Sequence, residues 1–245
     1  MKNLIRGHIY QLKKDHFFFG CLAFSFILLI VSIRYSSLES ALVPVMGIES
    51  LIGTFLGSDI LLYAFMLLTA NMIAEAYRSG VMKNMIGRGI SKKQYYLSIM
   101  FTISAAYVLV MLISSIIMGI LAGNRFGMGT ISYPGYYALS ILVRILFVIA
   151  YISFAVTMTI LTRNVITGII FSLVIPNIPQ ILEIIFGFLR IHMNLDFFKI
   201  ATHMPSVYAA SNDLSSFLPC LVVLCRYLVF SIFTGFSLLK HQDIK

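Results

Sequence analysis

Residues 94–124 read QYYLSIMFTISAAYVLVMLISSIIMGILAGN, and none of them carries a charge. The hydrocarbon core of a bilayer is about 30 Å thick, so a helix that crosses it needs about 20 mainly apolar residues. This run exceeds that length in one uninterrupted piece. It predicts a membrane-spanning helix, and therefore an integral membrane protein.

The composition of the whole chain excludes a soluble domain. Of the 245 residues, 60% are hydrophobic and 11% are charged, and the mean hydropathy is +0.95. Soluble domains carry about 25% charged residues, so too few charges are present to cover a water-facing surface. The three cysteines, Cys21, Cys220 and Cys225, lie in apolar surroundings without the paired spacing of a zinc site or a disulfide framework.

The same length criterion predicts an all-α integral membrane protein with six membrane helices in a single domain, residues 1–245. The predicted membrane helices are 17–33, 59–75, 97–122, 138–161, 165–189 and 218–239. The segment between the first two helices, residues 35–58, is expected to pack at the membrane interface as a short helix.

The distribution of lysine and arginine predicts the orientation. Twelve basic residues fall on the side of the N-terminus and four on the other side. Because cytoplasmic loops carry an excess of Lys and Arg, both termini are predicted to be cytoplasmic, which agrees with the even number of helices. The net charge of +9 is thereby assigned to topology, and no nucleic-acid partner is predicted.

The N-terminal residues 1–16 are amphipathic. They place Leu4, Ile5, Ile9 and Leu12 at near-helical spacing among basic residues. This pattern favours a helix that lies along an anionic inner leaflet. The alternative is a positively charged flank that only sets the topology.

The fifth predicted helix contains two prolines in four residues, at Pro176-Asn177-Ile178-Pro179. Proline removes a backbone donor and clashes with the preceding turn. We therefore expect helix five to be broken at Pro176, Asn177 and Pro179.

Three ionisable residues fall inside predicted membrane helices: Arg144, Glu183 and Arg226. Charges inside a bilayer usually face the interior of the helix bundle and pair with each other. We expect Glu183 to pair with Arg144 or Arg226 as a clamp between helices. The alternative is a polar patch that meets a lipid headgroup or an anionic group of a substrate.

Sequence motifs for catalysis or nucleotide binding are missing. The chain contains no G-x-x-x-x-G-K-[ST], H-E-x-x-H, G-x-S-x-G or C-x-x-C motif. The sequence predicts no catalytic, cofactor-binding or metal-binding residues, and a non-catalytic protein.

The loop after the second predicted helix is the richest functional signal. Residues 75–93 read EAYRSGVMKNMIGRGISKK, which predicts a short basic helix, a tight turn and a cap for the next helix. Val81, Met82, Met85 and Ile86 fall on one helical stripe. We expect this stripe to contact a soluble partner; alternatively, it rests on the membrane surface or the loop only sets topology.

This loop resembles that of the permease subunits of type-2 ABC exporters, the small six-helix kind that serves peptide or antibiotic export and immunity. The residues that carry the resemblance are Glu75, Gly80, Lys83, Gly89, Ile90, Ser91 and Lys92. Length, helix number, cytoplasmic termini and the amphipathic N-terminus agree with the same family.

The resemblance implies that the loop is a coupling helix, which receives motion from a separate ATPase. The residues expected to couple are Glu75, Arg78, Gly80, Met82, Lys83, Met85, Ile86, Gly89, Ser91 and Lys92. It also implies two copies of the ATPase subunit carrying ATP and Mg²⁺, a second permease chain in a homo- or heterodimer, and a bacterial cytoplasmic membrane as the location. The expected substrate is a peptide or another amphipathic molecule.

Two other functions remain open from the sequence. The chain could be the substrate-capturing membrane subunit of a vitamin-type importer, although such a pocket would have few polar candidates beyond Thr69, Asn71 and Asn177. A membrane-embedded enzyme is disfavoured by the missing motifs.

Overall fold

All elements that the structure describes are helices, as the composition predicts. The structure is a computed structural model, which describes residues 2–39, 46–57, 59–130, 134–188 and 217–241. In those ranges the helices are α1 Lys2–Lys14, α2 His16–Glu39, α3 Gly47–Gly57, α4 Asp59–Arg78, α5 Val81–Gly87, α6 Lys92–Phe126, α7 Pro134–Thr162, α8 Val165–Phe188 and α9 Phe217–His241.

Four stretches within the described residues are long and apolar enough to cross a membrane: Gly47–Arg78, Lys92–Phe126, Pro134–Thr162 and Phe217–Lys240. They contain four of the six predicted membrane helices. The other two predictions fall on α2 and α8, whose apolar stretches within the described residues are shorter, at His16–Ile27 and Val165–Pro179. Leu189, the predicted end of helix five, lies outside the described residues.

Helix α7 forms the centre of the bundle. About two thirds of its apolar window, 67%, is buried, against 28–47% in the other three candidate spans, and it contacts α3, α4, α6, α8 and α9. Residues 150–160 are buried without exception. A helix that is apolar on all sides is one that other helices surround, which explains why this span shows no polar face.

Glycine allows α3 to pack closely on the second half of α6. A side chain at Gly47 would lie 2.8 Å from the carbonyl oxygen of Gly119 and 2.8 Å from the Cα of Gly123. Gly119 and Gly123 form a G-x-x-x-G spacing, which brings helix backbones together in membranes. The predicted short helix in residues 35–58 is therefore present as α3, packed on α6; residues 40–45 and 58 lie outside the described residues.

The predicted break in helix five is wrong. Helix α8 continues from Val165 to Phe188 through both Pro176 and Pro179. The Asn177 side chain donates a hydrogen bond of 2.7 Å to the carbonyl oxygen of Leu173. This carbonyl lies in the turn that a proline at 176 disturbs, and polar side chains commonly satisfy such groups in membrane helices.

Helix α1 presents a different face from the one expected. Leu4, His8 and Leu12 are buried at a spacing of four residues, whereas Ile9 is 42% exposed. Helix α1 packs against α6, so its buried face contacts protein. The exposed Ile9 remains available to the lipid interface.

Candidate functional site

The loop between α4 and α6 folds into a defined element, and glycine begins it. Gly80 has a φ of +70°, a region that residues with a Cβ rarely adopt. Helix α4 therefore ends at Arg78, and α5 starts in a new direction at Val81.

Helix α5 ends in a Schellman motif. The amide of Ile90 donates to the carbonyl oxygen of Met85 at 3.2 Å, and the amide of Gly89 donates to that of Ile86 at 2.9 Å. Gly89 has a φ of +87°, as this motif requires at its glycine position. Gly87 is the last helical residue, so only Gly89 makes the turn.

The start of α6 has the reciprocal cap that the sequence predicts. The amide of Gln94 donates to the Ser91 hydroxyl at 3.2 Å, and the Ser91 amide donates to the Gln94 side chain at 3.4 Å. Such a capping box satisfies two amides that a helix start leaves without partners. The joint from α4 to α6 is therefore stabilised by hydrogen bonds at each turn.

The apolar stripe of α5 faces the protein, which corrects the expectation that it contacts a partner. Met82 is 1% exposed, and Met85 and Ile86 are partly buried against the same core. Val81, the fourth residue of the stripe, is also half-buried. Apolar side chains on this helix stabilise its position on the bundle and are not available for docking.

The exposed face of α5 is polar and basic. Lys83, Asn84 and Arg88 are exposed. Lys92 has another role, because its ammonium group donates a hydrogen bond of 2.8 Å to the carbonyl oxygen of Leu239, near the end of α9. The surface available to a partner is therefore formed by Lys83, Asn84 and Arg88, which we call the α5 outer face.

A cavity of about 470 Å³ lies beside α5. Lys14 and His16 line it from the junction of α1 and α2, and Glu75 and Val81 line it from the other side. Glu75 and Arg78 are exposed. The structure thus brings Glu75 to a polar opening between the N-terminal helices and the loop.

An ion pair between helices lies at the other end of α4. Nη1 of Arg144 lies 2.6 Å from Oδ1 of Asp59, and Nη2 of Arg144 donates to the Tyr107 hydroxyl at 3.1 Å. The guanidinium also lies over the Phe147 ring at 5.1 Å. Arg144 is 1% exposed while the Asp59 side chain is 54% exposed, so this buried cation reaches an accessible carboxylate.

Asp59 is a partner that the sequence analysis did not assign to Arg144, because it placed Asp59 at the headgroups as the start of a helix. Glu183 on α8 and Arg226 on α9 are both half-buried. Their pairing with each other stays a prediction.

No family model, curated protein or solved structure matches this chain. Its function is therefore argued from the geometry of its own residues.

His8 is a further site residue that the sequence analysis missed. Its Nε2 lies 3.1 Å from the Ser98 hydroxyl on α6, its Nδ1 lies 3.2 Å from the Gln11 side chain, and its ring meets Tyr95 edge-on at 5.6 Å. Burial lowers the pKa of His8, and the hydrogen bond from Gln11 opposes that shift. The signal was available in the sequence, since His8 stands midway between Leu4 and Leu12 on one helical face.

Proposed function

We propose that this chain is the membrane-spanning permease subunit of an ATP-driven ABC exporter. The observation that carries the proposal is the short helix α5, held on the bundle by its buried face and turned toward the cytoplasm by its basic face. This arrangement suits an element that receives a force from a soluble partner and passes it to membrane helices.

The contacts of α5 support a mechanical role. Because Met82 is buried at 1% exposure, displacement of α5 must move the core side chains around it. The capped ends leave little slack between α5 and the helices on either side. A push on the α5 outer face therefore reaches α4 and α6 before the loop bends.

The charge of the α5 outer face indicates the chemistry of the partner. Lys83 and Arg88 favour an acidic cleft on the partner. Exposed ion pairs contribute only about 0–1 kcal/mol each, so the cleft must also match the shape of the helix. In this proposal two ATPase subunits carry ATP and Mg²⁺, and each contacts one permease chain of a homo- or heterodimer.

The proposal includes six membrane helices with both termini in the cytoplasm, in a bacterial cytoplasmic membrane. The excess of twelve basic residues over four supports that orientation. A peptide or another amphipathic molecule is the proposed substrate, carried outward along a path between the two permease chains.

The proposal is tested by removing the charges of the α5 outer face. A tagged full-length chain is purified from its own host membranes, and vanadate-sensitive ATP hydrolysis by the complex is measured. We expect hydrolysis from the unmodified complex, although this chain lacks a Walker motif, and loss of most of it in Lys83→Gln/Arg88→Gln. The matched control, Lys13→Gln/Lys14→Gln, removes two exposed lysines of α1 on the same predicted side and should retain hydrolysis.

Two results would overturn the proposal. One is the absence of ATP hydrolysis from a complex that is intact by size. The other is equal hydrolysis by both double variants. A single copy of this chain that retains a tightly bound small molecule would instead favour the importer subunit.

A further inference from the structure

A second cavity, of about 610 Å³, lies between the start of α6 and the end of α9. Its lining residues are Ser91, Lys92, Lys93, Phe233, Phe236, Ser237, Leu239 and Lys240. We call it the α6–α9 cavity. The proposed function makes no use of it.

The charge of the α6–α9 cavity is of one sign. Three of its lining residues are lysines, and none of the lining residues that the structure describes is acidic. Lys92 is held by the carbonyl oxygen of Leu239 at 2.8 Å, which places its charge at the wall. Lys93 and Lys240 are exposed at the rim, so the cavity favours an anion.

The apolar part of the cavity narrows the class of anion. Phe233 is 73% exposed, the highest value among the large hydrophobic side chains that the structure describes. The Lys93 ammonium lies 5.4 Å from the centre of the Phe236 ring. Basic groups thus stand at one end of an exposed aromatic surface. A free inorganic anion would use only the basic end.

The position of the cavity matches the inner leaflet. Lysines at the start of α6 and the end of α9 belong to the side that the basic residues assign to the cytoplasm. Basic pockets between membrane helices on that side bind anionic headgroups. Phe233 lies about two turns before Lys240 on α9, which corresponds to about 10 Å toward the hydrocarbon.

We propose that the α6–α9 cavity binds an anionic phospholipid of the inner leaflet. The phosphate contacts Lys93 and Lys240, and an acyl chain lies along Phe233 and Phe236. Because Lys92 already joins α6 to α9, the bound lipid adds a second connection between the same two helices.

The absence of tryptophan from the chain gives a clean assay. In a Phe233→Trp variant, the only indole lies at the cavity. The protein is placed in vesicles of phosphatidylcholine with phosphatidylglycerol, in which either lipid carries brominated acyl chains that quench indole fluorescence. We expect phosphatidylglycerol to be favoured over phosphatidylcholine at this position by about fivefold, as expected for lysine charges at a membrane surface.

Matched variants separate the cavity from general charge. Lys93→Gln/Lys240→Gln in the reporter background should reduce the preference to nearly equal quenching, whereas Lys13→Gln/Lys14→Gln should leave it unchanged. A Phe19→Trp reporter on the exposed surface of α2 samples bulk lipid and should show no preference. Equal quenching by both lipids at Phe233→Trp, or a preference that survives Lys93→Gln/Lys240→Gln, would overturn the proposal. So would loss of the preference when inorganic phosphate replaces chloride at equal ionic strength, because the cavity would then take the free anion.

Discussion

Substitution of Asp59 by Ala should destabilise the protein through the arginine that it leaves behind. Arg144 is 1% exposed, so it cannot be rehydrated without opening the bundle, and its ion pair with Asp59 spans 2.6 Å. Hydrogen bonds to charged groups contribute about 1.5–3 kcal/mol. Removing one partner of a fully buried pair costs about 3–5 kcal/mol. Since the Asp59 side chain is 54% exposed, the lower range applies, and we expect a loss of about 2 kcal/mol.

A double-mutant cycle isolates the pair from other effects of the substitutions. Arg144→Met keeps an apolar side chain of similar length and removes the buried charge, so Asp59→Ala in that background should cost almost nothing. The difference, about 2 kcal/mol, is the coupling energy. Asp59→Asn should lie between, because it keeps an acceptor oxygen and loses the charge.

The cysteines of the chain provide the assay. Cys21 is 4% exposed and Cys220 is 1% exposed, whereas Cys225 is exposed. In a Cys225→Ser background, a thiol-reactive dye therefore reports unfolding when the two buried thiols open. For chains of this size 1 kcal/mol corresponds to about 2–4 °C in Tm, so Asp59→Ala should lower Tm by about 4–8 °C. An equal loss of Tm in the unmodified and Arg144→Met backgrounds would refute the reasoning.

Two further predictions follow from close contacts at the two ends of α6. Gly47→Ala should lower the amount of folded protein because its methyl group would meet backbone at 2.8 Å, whereas Gly53→Ala on the same helix has nothing within 4 Å and should raise Tm slightly through helix propensity; an equal change in both would refute close packing of α3 on α6. The pKa of His8 is lowered from its ordinary value of 6.5, so docking of α1 is fully stable above pH 6.5 and weakens as the pH falls toward the lowered pKa. Spin labels at Gly7 and Asn84 should accordingly give a broader distance distribution at pH 5.5 than at pH 7.5, and this response should disappear in His8→Phe; a response that persists there would assign it to another group.

The sequence by itself determined the helical membrane class and the shape of the α4–α6 joint. Both rest on rules that act over a few neighbouring residues. A long uncharged run must form a helix in lipid because every backbone group needs a partner within the segment. Gly89 and Ser91 act through hydrogen bonds to residues three to five positions away, so their spacing alone predicts the turn and the cap.

Only the tertiary structure decided which way the side chains point. The stripe that contains Met82 predicted an apolar face, but periodicity does not distinguish a face that meets a partner from one that packs on the chain's own core. Asp59 and Arg144 lie 85 positions apart, and no local pattern relates them. Their contact depends on how α4 and α7 are rotated about their axes, which is determined by the packing of all the surrounding helices.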